Sequence, residues 1–331
     1  MHLENVIEVS NLTKYYRRLL AVDHINFKVK RGEIFGFLGP NGAGKTTTIR
    51  LLSGLTKPSS GVALVAGLDV TREPIKMKEQ VGVVPEVDNL YDEMTAWNNL
   101  MFVAKLYGVP KADRAKRSKK LLKLFGLYDR HDIRLVNFSK GMKRRLTIVA
   151  ALVHNPKILF LDEPTTGLDV QSSRLVRALI RKLNDKGVTV FLTTHHIEEA
   201  DQLCDRVAII NRGKIVATDI PGKLKSTIQE ENVIEVSFGR MPQWLSKALE
   251  RLDSVGTVAR FGDKFKLYVN DPSEAIPSIV NFAKANRLRI LSINTLKPSL
   301  EDAFVKFTGV SPEVMTMEKE HVEPARDESN G

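Results

Sequence analysis

The sequence predicts an α/β fold on a largely parallel sheet, followed by a smaller α+β domain. Three observations carry this. Through about the first 220 residues, short apolar runs rich in β-branched residues alternate with longer amphipathic stretches, as interleaved strands and helices do. Two of the runs, KILFLD and TVFLTT, lack polar alternation, as central parallel strands covered on both faces do. From about residue 231 the order becomes strand, helix, strand, strand, helix, strand, a split βαβ arrangement.

In chain order, VIEVS, INFKVK, IFGFLG, VALVAG, VGVVPE, KILFLD, TVFLTT, RVAII and KIVATD read as strands of the first domain. Its helices fall after Gly44 and over residues 95–107, 111–125, 140–153 and 172–183. In the second domain VIEVSF, GTVARF, DKFKLYV and LRILSINT read as strands, with helices over 242–252 and 272–285. The Gly-Asp of FGDKF suits a tight turn between the two middle strands. A last helix, LEDAFVKFTG, stops at Gly309. The domains are placed at 1–225 and 231–309. The tail, 311–331, carries six acidic and two basic residues and is expected to be disordered. The second domain offers neither a phosphate-binding glycine loop nor clustered reactive residues, so packing or docking is its expected role.

A chain of 331 residues has length for a sizeable core, and 43% hydrophobic with 27% charged residues fits a soluble globular protein. The one cysteine, Cys204, excludes disulfides within the chain and cysteine-cluster metal sites, and its apolar neighbours make it a core residue. The opening MHLENVIEVS lacks the layout of a signal peptide, and the apolar runs are far shorter than the ~20 residues that span a bilayer. A cytosolic chain is expected. A net charge of +11 suits nucleic acid, an anionic membrane surface or nucleotide phosphates, without choosing among them.

IFGFLGPNGAGKTTTIRLLSGL supplies the choice. Gly39, Gly44, Lys45 and Thr46 keep the G-x-x-x-x-G-K-[ST] spacing between a strand and an amphipathic helix. Glycines let backbone N–H groups wrap phosphates, Lys45 reaches the β- and γ-phosphates, and the Thr46 hydroxyl can ligate Mg²⁺. In LFLDEPTTGLD, Asp162 ends a buried apolar run, which is costly without a cationic partner such as Mg²⁺. Glu163 follows directly, in reach of the γ-phosphate, where a carboxylate can activate water. His195, just after TVFLTT, can hydrogen-bond the γ-phosphate and the attacking water. His196 reads as an ordinary helix-start residue.

FSKGMKRRL allows two readings: a basic grip on nucleic acid, or a helix N-terminus built to hold a phosphate. Ser139 and Gly141 favour the second, as a hydroxyl cap and a bare backbone at the positive end of a helix. Lys140 either helps the γ-phosphate or faces solvent.

In order and spacing these motifs resemble the ATP-binding subunit of an ABC (ATP-binding cassette) transporter, over about residues 7–219. GPNGAGKTT, which is Gly39, Pro40, Asn41, Gly42, Ala43, Gly44, Lys45, Thr46 and Thr47, resembles the family's Walker A. KILFLDEP resembles Walker B, FSKGM the signature motif and Gly167 to Asp169 the D-loop. Glu86 of VVPE stands at the Q-loop position, His195 at the switch histidine, and Tyr16 resembles the adenine-stacking aromatic, though alone it reads as an edge-strand tyrosine. The resemblance implies a P-loop NTPase cassette: a RecA-like core, an antiparallel β subdomain and a helical signature subdomain at about 87–155, here with a ferredoxin-like C-terminal domain. It implies a homodimer in which two cassettes face head to tail around two ATPs. Ser139, Lys140, Gly141, Met142 and Asp169 then touch the opposite subunit's nucleotide, and Asp169 couples the sites. Glu163 is the implied base, His195 orients the γ-phosphate, and Asp162, with Thr46 and Glu86, holds Mg²⁺.

Two motifs depart from the commonest pattern: in the signature Phe138, Lys140 and Met142 replace leucine, glycine and glutamine, and Glu86 replaces the Q-loop glutamine. With PSLEDAF near the C-terminus, both resemble the daunorubicin-resistance type of exporter. That implies export of a drug, antibiotic, lipid or polysaccharide through a separately encoded permease, with this chain peripheral on the inner face of the membrane. The segment 86–107, with Leu90, Tyr91, Met94, Trp97 and Phe102, would meet the permease or serve as helix core. The alternative is a non-transport ABC ATPase acting on nucleic acid or the ribosome, to which KADRAKRSKKLLKLF lends some weight. Leu121, Leu122, Leu124 and Phe125 share one face of that helix, however, which leaves its lysines as a solvated opposite face, and nucleic acid is not expected as a partner. A GTPase would need an Asn-Lys-x-Asp reader that is missing, and a kinase would not need FSKGM and GLD flanking Walker B.

Overall fold

The computed structural model, which describes residues 5–227, 232–296 and 299–310, divides after Thr218 into two units. In the first, the β-branched runs pair as two sheets. β1 (Asn5–Tyr16) and β2 (Leu19–Lys30) form a long hairpin, and β4 (Ser60–Val65) and β5 (Leu68–Asp69) extend it in the order β2-β1-β4-β5, every pair antiparallel. β3 (Ile34–Leu38) instead enters the sheet that holds the site. With β6 (Val81–Val84), β7 (Ile158–Asp162), β8 (Thr189–Thr194), β9 (Arg206–Asn211) and β10 (Lys214–Asp219) it makes the order β10-β9-β3-β8-β7-β6. β9-β3, β3-β8, β8-β7 and β7-β6 are parallel, so their C-terminal ends open on one edge.

The connections supply α1 (Lys45–Leu52), α2 (Pro74–Gln80), α3 (Ala96–Leu106), α4 (Lys111–Leu124), α5 (Lys140–Leu152), α6 (Val170–Asn184) and α7 (Ile197–Leu203). Every residue of β3, β7 and β8 is buried, as their unbroken apolar runs require. Phe27, Phe35, Phe37, Phe160 and Phe191 lock the middle of the sheet, with ring centroids 5.5–5.9 Å apart. Cys204 is buried against Gly36, as a core residue would be. Among the described residues no helix is long and apolar enough to cross a membrane.

The second unit holds α8 (Pro221–Ser226), β11 (Asn232–Phe238), α9 (Leu245–Leu249), β12 (Val258–Phe261), β13 (Lys264–Val269), α10 (Pro272–Ala285), β14 (Ile290–Leu296) and α11 (Leu300–Thr308). Its sheet order, β12-β13-β11-β14 with every pair antiparallel, is that of the split βαβ fold. Gly262, at φ 56°, starts the two-residue turn between β12 and β13. The helix expected over 242–252 contracts to α9, because only Leu245 and Leu249 of that helix are buried. α2, β5 and α8 were too short to be read from periodicity. The expected disorder of 311–331 lies outside the described residues.

Asp302 fixes α11. Its Oδ2 accepts from the Ser299 backbone at 2.8 Å and the Ser299 hydroxyl at 2.6 Å, and the Ser299 oxygen accepts in turn from the Asp302 N–H. Its Oδ1 accepts from Lys266 at 3.1 Å and from the Tyr268 hydroxyl at 3.0 Å. Burial raises the Asp302 pKa, but the Ser299 hydrogen bonds and the Lys266 charge outweigh it and lower the carboxyl from its ordinary 3.8. A depressed carboxylate stabilises the fold above its unfolded pKa and loses that contribution as pH falls through the folded value. Asp302→Ala should therefore destabilise the second unit by about 3 kcal/mol at neutral pH, in denaturant melts followed at Trp244. The gap to wild type should narrow below about pH 3.8.

Candidate nucleotide site

The loop between β3 and α1 is shaped by its glycines. A side chain on Gly39 would collide with the Ile210 carbonyl, and a Cβ on Gly44, whose φ is 104°, would stand 2.5 Å from the Ala21 carbonyl. Gly42 has φ 77° but open space beside it. Lys45 is buried, and its ammonium donates to the carbonyls of Gly39 at 2.8 Å and Pro40 at 3.1 Å. The loop thus gathers N–H groups, one ammonium and a helix N-terminus, the chemistry that holds a polyphosphate.

The buried strand β7 delivers Asp162 and Glu163 to the same edge. They are only 3% and 5% exposed, so each needs partners. Asp162 Oδ1 accepts from the Thr193 hydroxyl at 2.6 Å and the Thr46 hydroxyl at 3.2 Å. Burial still pushes its carboxyl above the usual range. A carboxylate and a hydroxyl so close can share a hard cation whose other ligands are water and phosphate oxygens. Among the described residues no group of three or more His, Cys, Asp or Glu could hold a metal ion.

Glu163 has φ 49°, in the left-handed region. Its N–H donates to the carbonyl and hydroxyl oxygens of Thr193, both at 3.1 Å. Its Oε2 is 2.9 Å from His195 Nδ1 and accepts from the Thr166 hydroxyl at 3.1 Å. Its Oε1 forms an ion pair with Lys45 at 3.2 Å, without a directed hydrogen bond. Burial alone would raise the Glu163 pKa, but His195 and Lys45 bring it to about 2. The structure thus draws Lys45, Thr46, Asp162, Glu163 and His195 into one group, joined by hydrogen bonds through Thr193 and by the Lys45–Glu163 ion pair.

The signature residues make other contacts. Ser139 caps α5 through the Met142 N–H, at 3.3 Å. Gly141 lies against the Ser172 side chain, so a Cβ there would clash. Ser172 also donates from its hydroxyl and its N–H to Asp169, the cap of α6, at 2.8 and 2.7 Å. The Lys140 ammonium rests against Gly167. Ser139, Lys140 and Asp169 are exposed and Met142 is half-buried. Tyr16 stands at the end of β1, 39% exposed, with the Lys14 ammonium 5.1 Å from its ring centre. Glu86 is exposed on the loop after β6, and its charge adds to the upward push on Asp162.

Sequence reasoning missed two residues. Thr193 stands opposite Asp162 in the parallel register of β7 and β8, and only that register marks it. Arg144 seemed to continue a basic run, yet it is 4% exposed and its guanidinium meets five backbone carbonyls. Its neighbours are also engaged within the chain: Lys143 pairs with Asp92 at 2.6 Å, and Arg145 donates to the Phe125 carbonyl at 2.8 Å. On α4, Ser118 and Leu122 are buried and Leu121 and Leu124 half-buried, while Lys119 and Lys123 lie 5.2 and 5.3 Å from the Tyr128 ring.

Comparison with known proteins places this geometry. A family model described as ABC transporter matches residues 22–166. The chain is 36% identical over 306 residues to the linearmycin resistance ATP-binding protein LnrL of Bacillus subtilis, covering 92% of this chain and 98% of that one. It is 39% identical over 309 residues to the daunorubicin/doxorubicin resistance ATP-binding protein DrrA of Streptomyces peucetius, covering 92% of each. Among solved structures, an ATP-binding subunit of an ABC transporter superposes with TM-score 0.62 at 31% identity, over 68% of this chain and 93% of that one. The dimeric cassette MJ0796 bound to ADP and Pi superposes with TM-score 0.60 at 27% identity, over 65% and 98%. The chain belongs to the ABC transporter family, as an ATP-binding subunit that hydrolyses ATP.

Proposed function

We propose that this chain powers an exporter, working as a head-to-tail homodimer beneath a separately encoded permease on the inner face of the membrane. The observation that carries the reading is the group Lys45, Thr46, Asp162, Glu163 and His195 at the mouth of the phosphate loop. In it, Gly39 to Thr47 wrap the phosphates, with Pro40, Asn41, Gly42 and Ala43 supplying the loop's turn. Thr46, Asp162 and Glu86 would hold Mg²⁺. When bound, that ion neutralises charge developing on the phosphates.

Glu163 is the base that takes a proton from the attacking water, and His195 orients the γ-phosphate as well as the carboxylate it meets at 2.9 Å. A phosphate accepting from Lys45 competes with Glu163 for the same ammonium, which loosens one of the two contacts, after the His195 hydrogen bond, that hold the carboxylate's pKa down. Tyr16 stacks on the adenine. Ser139, Lys140, Gly141, Met142 and Asp169 complete the opposite subunit's site. Support for the dimer is the family's dimeric cassette and the exposure of Ser139 and Asp169. Support for export, of a drug, antibiotic, lipid or polysaccharide, is the resistance named in the relatives LnrL and DrrA.

The permease contact is the apolar patch on α3 and the loop before it. Tyr91 and Phe102 pack edge to face at 5.5 Å, both exposed, beside exposed Leu106. Buried Asn99 fixes this surface by bonding the Tyr91 N–H at 2.9 Å and carbonyl at 3.0 Å. Leu90, Met94 and Trp97 are half-buried and serve as its support.

Affinity purification of the tagged chain from detergent-solubilised membranes should recover two copies with one or two integral membrane subunits, and Phe102→Asp should release them. Recovery with ribosomes or nucleic acid alone would overturn the transport reading. The two loop glycines give a graded test by ATP titration. Gly44→Ala, with both a steric clash and a positive φ, should weaken binding by about 100-fold or more. Gly42→Ala, strained but unobstructed, should lose no more than about tenfold.

A further inference from the structure

We propose that Arg144 is a positioning residue for hydrolysis: its buried guanidinium fixes the peptide of Glu163 and the loop of Glu86 together, and ties both to the helix that begins at Ser139. One side of the fork donates to the carbonyls of Asp162 at 2.6 Å, Glu163 at 2.9 Å and Pro164 at 3.0 Å. Nη1 donates to the carbonyls of Pro85 and, at 3.4 Å, Glu86. Its ion-pair carboxylate, Asp88, stands 3.9 Å away. A full charge held mainly by peptide oxygens is an expensive way to join two loops. Only guanidinium has the planar set of donors that can address both at once.

The consequences centre on Glu163. Its backbone is in the left-handed region, its N–H is held by Thr193, and its carbonyl is held by Arg144. With the peptides on both sides fixed, the carboxylate is aimed at His195 and Lys45. The same face of α5 grips the loop beyond Glu86 twice more, as Lys143 meets Asp92 at 2.6 Å and the Thr147 hydroxyl meets Asp88 at 3.0 Å. A shift of the signature helix thus carries the Glu86 loop and the Glu163 peptide with it. Arg144 links the phosphate contact made by Ser139 in one site to the base of the other.

This rests on Glu163 as the base, and the test separates the two. Arg144→Lys keeps a buried cation but cannot bridge both loops. In the full-length chain it should lower kcat about 100-fold while the dissociation constant for MgATP stays within about threefold. Because Arg144 acts through Glu163, the pair Arg144→Lys with Glu163→Gln should turn over no more slowly than Glu163→Gln alone. An unchanged kcat in Arg144→Lys, a loss that follows weakened ATP binding, or additive losses in the pair would overturn the assignment. Full activity in Glu163→Gln alone would instead remove Glu163 as the base, leaving the kcat of Arg144→Lys to decide the role of Arg144. Should Arg144→Lys not fold, Arg144→Gln is read by the same criteria.

Discussion

Two adjacent carboxylates at the end of a fully buried strand are the constraint on which the rest of this molecule depends. Asp162 and Glu163 cannot stay charged there without compensation, and taking away a partner from such a group costs about 3–5 kcal/mol. The surroundings supply it from four directions. β3 brings Lys45 through its glycine loop, α1 brings Thr46, β8 brings Thr193 and His195, and α5 brings Arg144 to the carbonyls. The parallel sheet makes this possible, because β3, β7 and β8 end side by side. The aromatic stack of Phe35, Phe37, Phe160 and Phe191 holds those ends in register.

The residues proposed to act on a second nucleotide are built differently. Ser139, Gly141, Ser172 and Asp169 form a short chain of contacts joining α5 to α6, with Lys140 laid on Gly167. α6 begins seven residues after Glu163, and α5 carries Arg144. Both elements of the outward-facing half therefore connect directly to the strand end that holds the inward-facing half. In the proposed dimer, this is how each subunit would sense the nucleotide of the other.

Much of this was legible in the sequence where backbone conformation or a local period imposes a residue type. The glycines of the phosphate loop are required by positive φ or by a neighbouring carbonyl, so spacing alone revealed them. The buried runs KILFLD and TVFLTT marked central strands, and Ser139 marked a helix start. What stayed hidden depends on register or on contacts distant in sequence. Thr193 looks like any strand threonine until β8 is aligned with β7. Arg144 looks like surface charge, because the carbonyls it meets lie about 20 and 60 residues away. In the segment proposed to meet the permease, Trp97 packs against His131, while Tyr91 and Phe102 are exposed.

Whether one chain supplies only half of each ATP site is decided by sedimentation of Glu163→Gln with saturating MgATP. A dimer holding two ATP molecules should form, and Gly141→Asp, added to the same chain, should leave a monomer that still binds ATP at its own loop. A Glu163→Gln chain that stays monomeric, or a dimer indifferent to Gly141→Asp, would contradict a site divided between two chains.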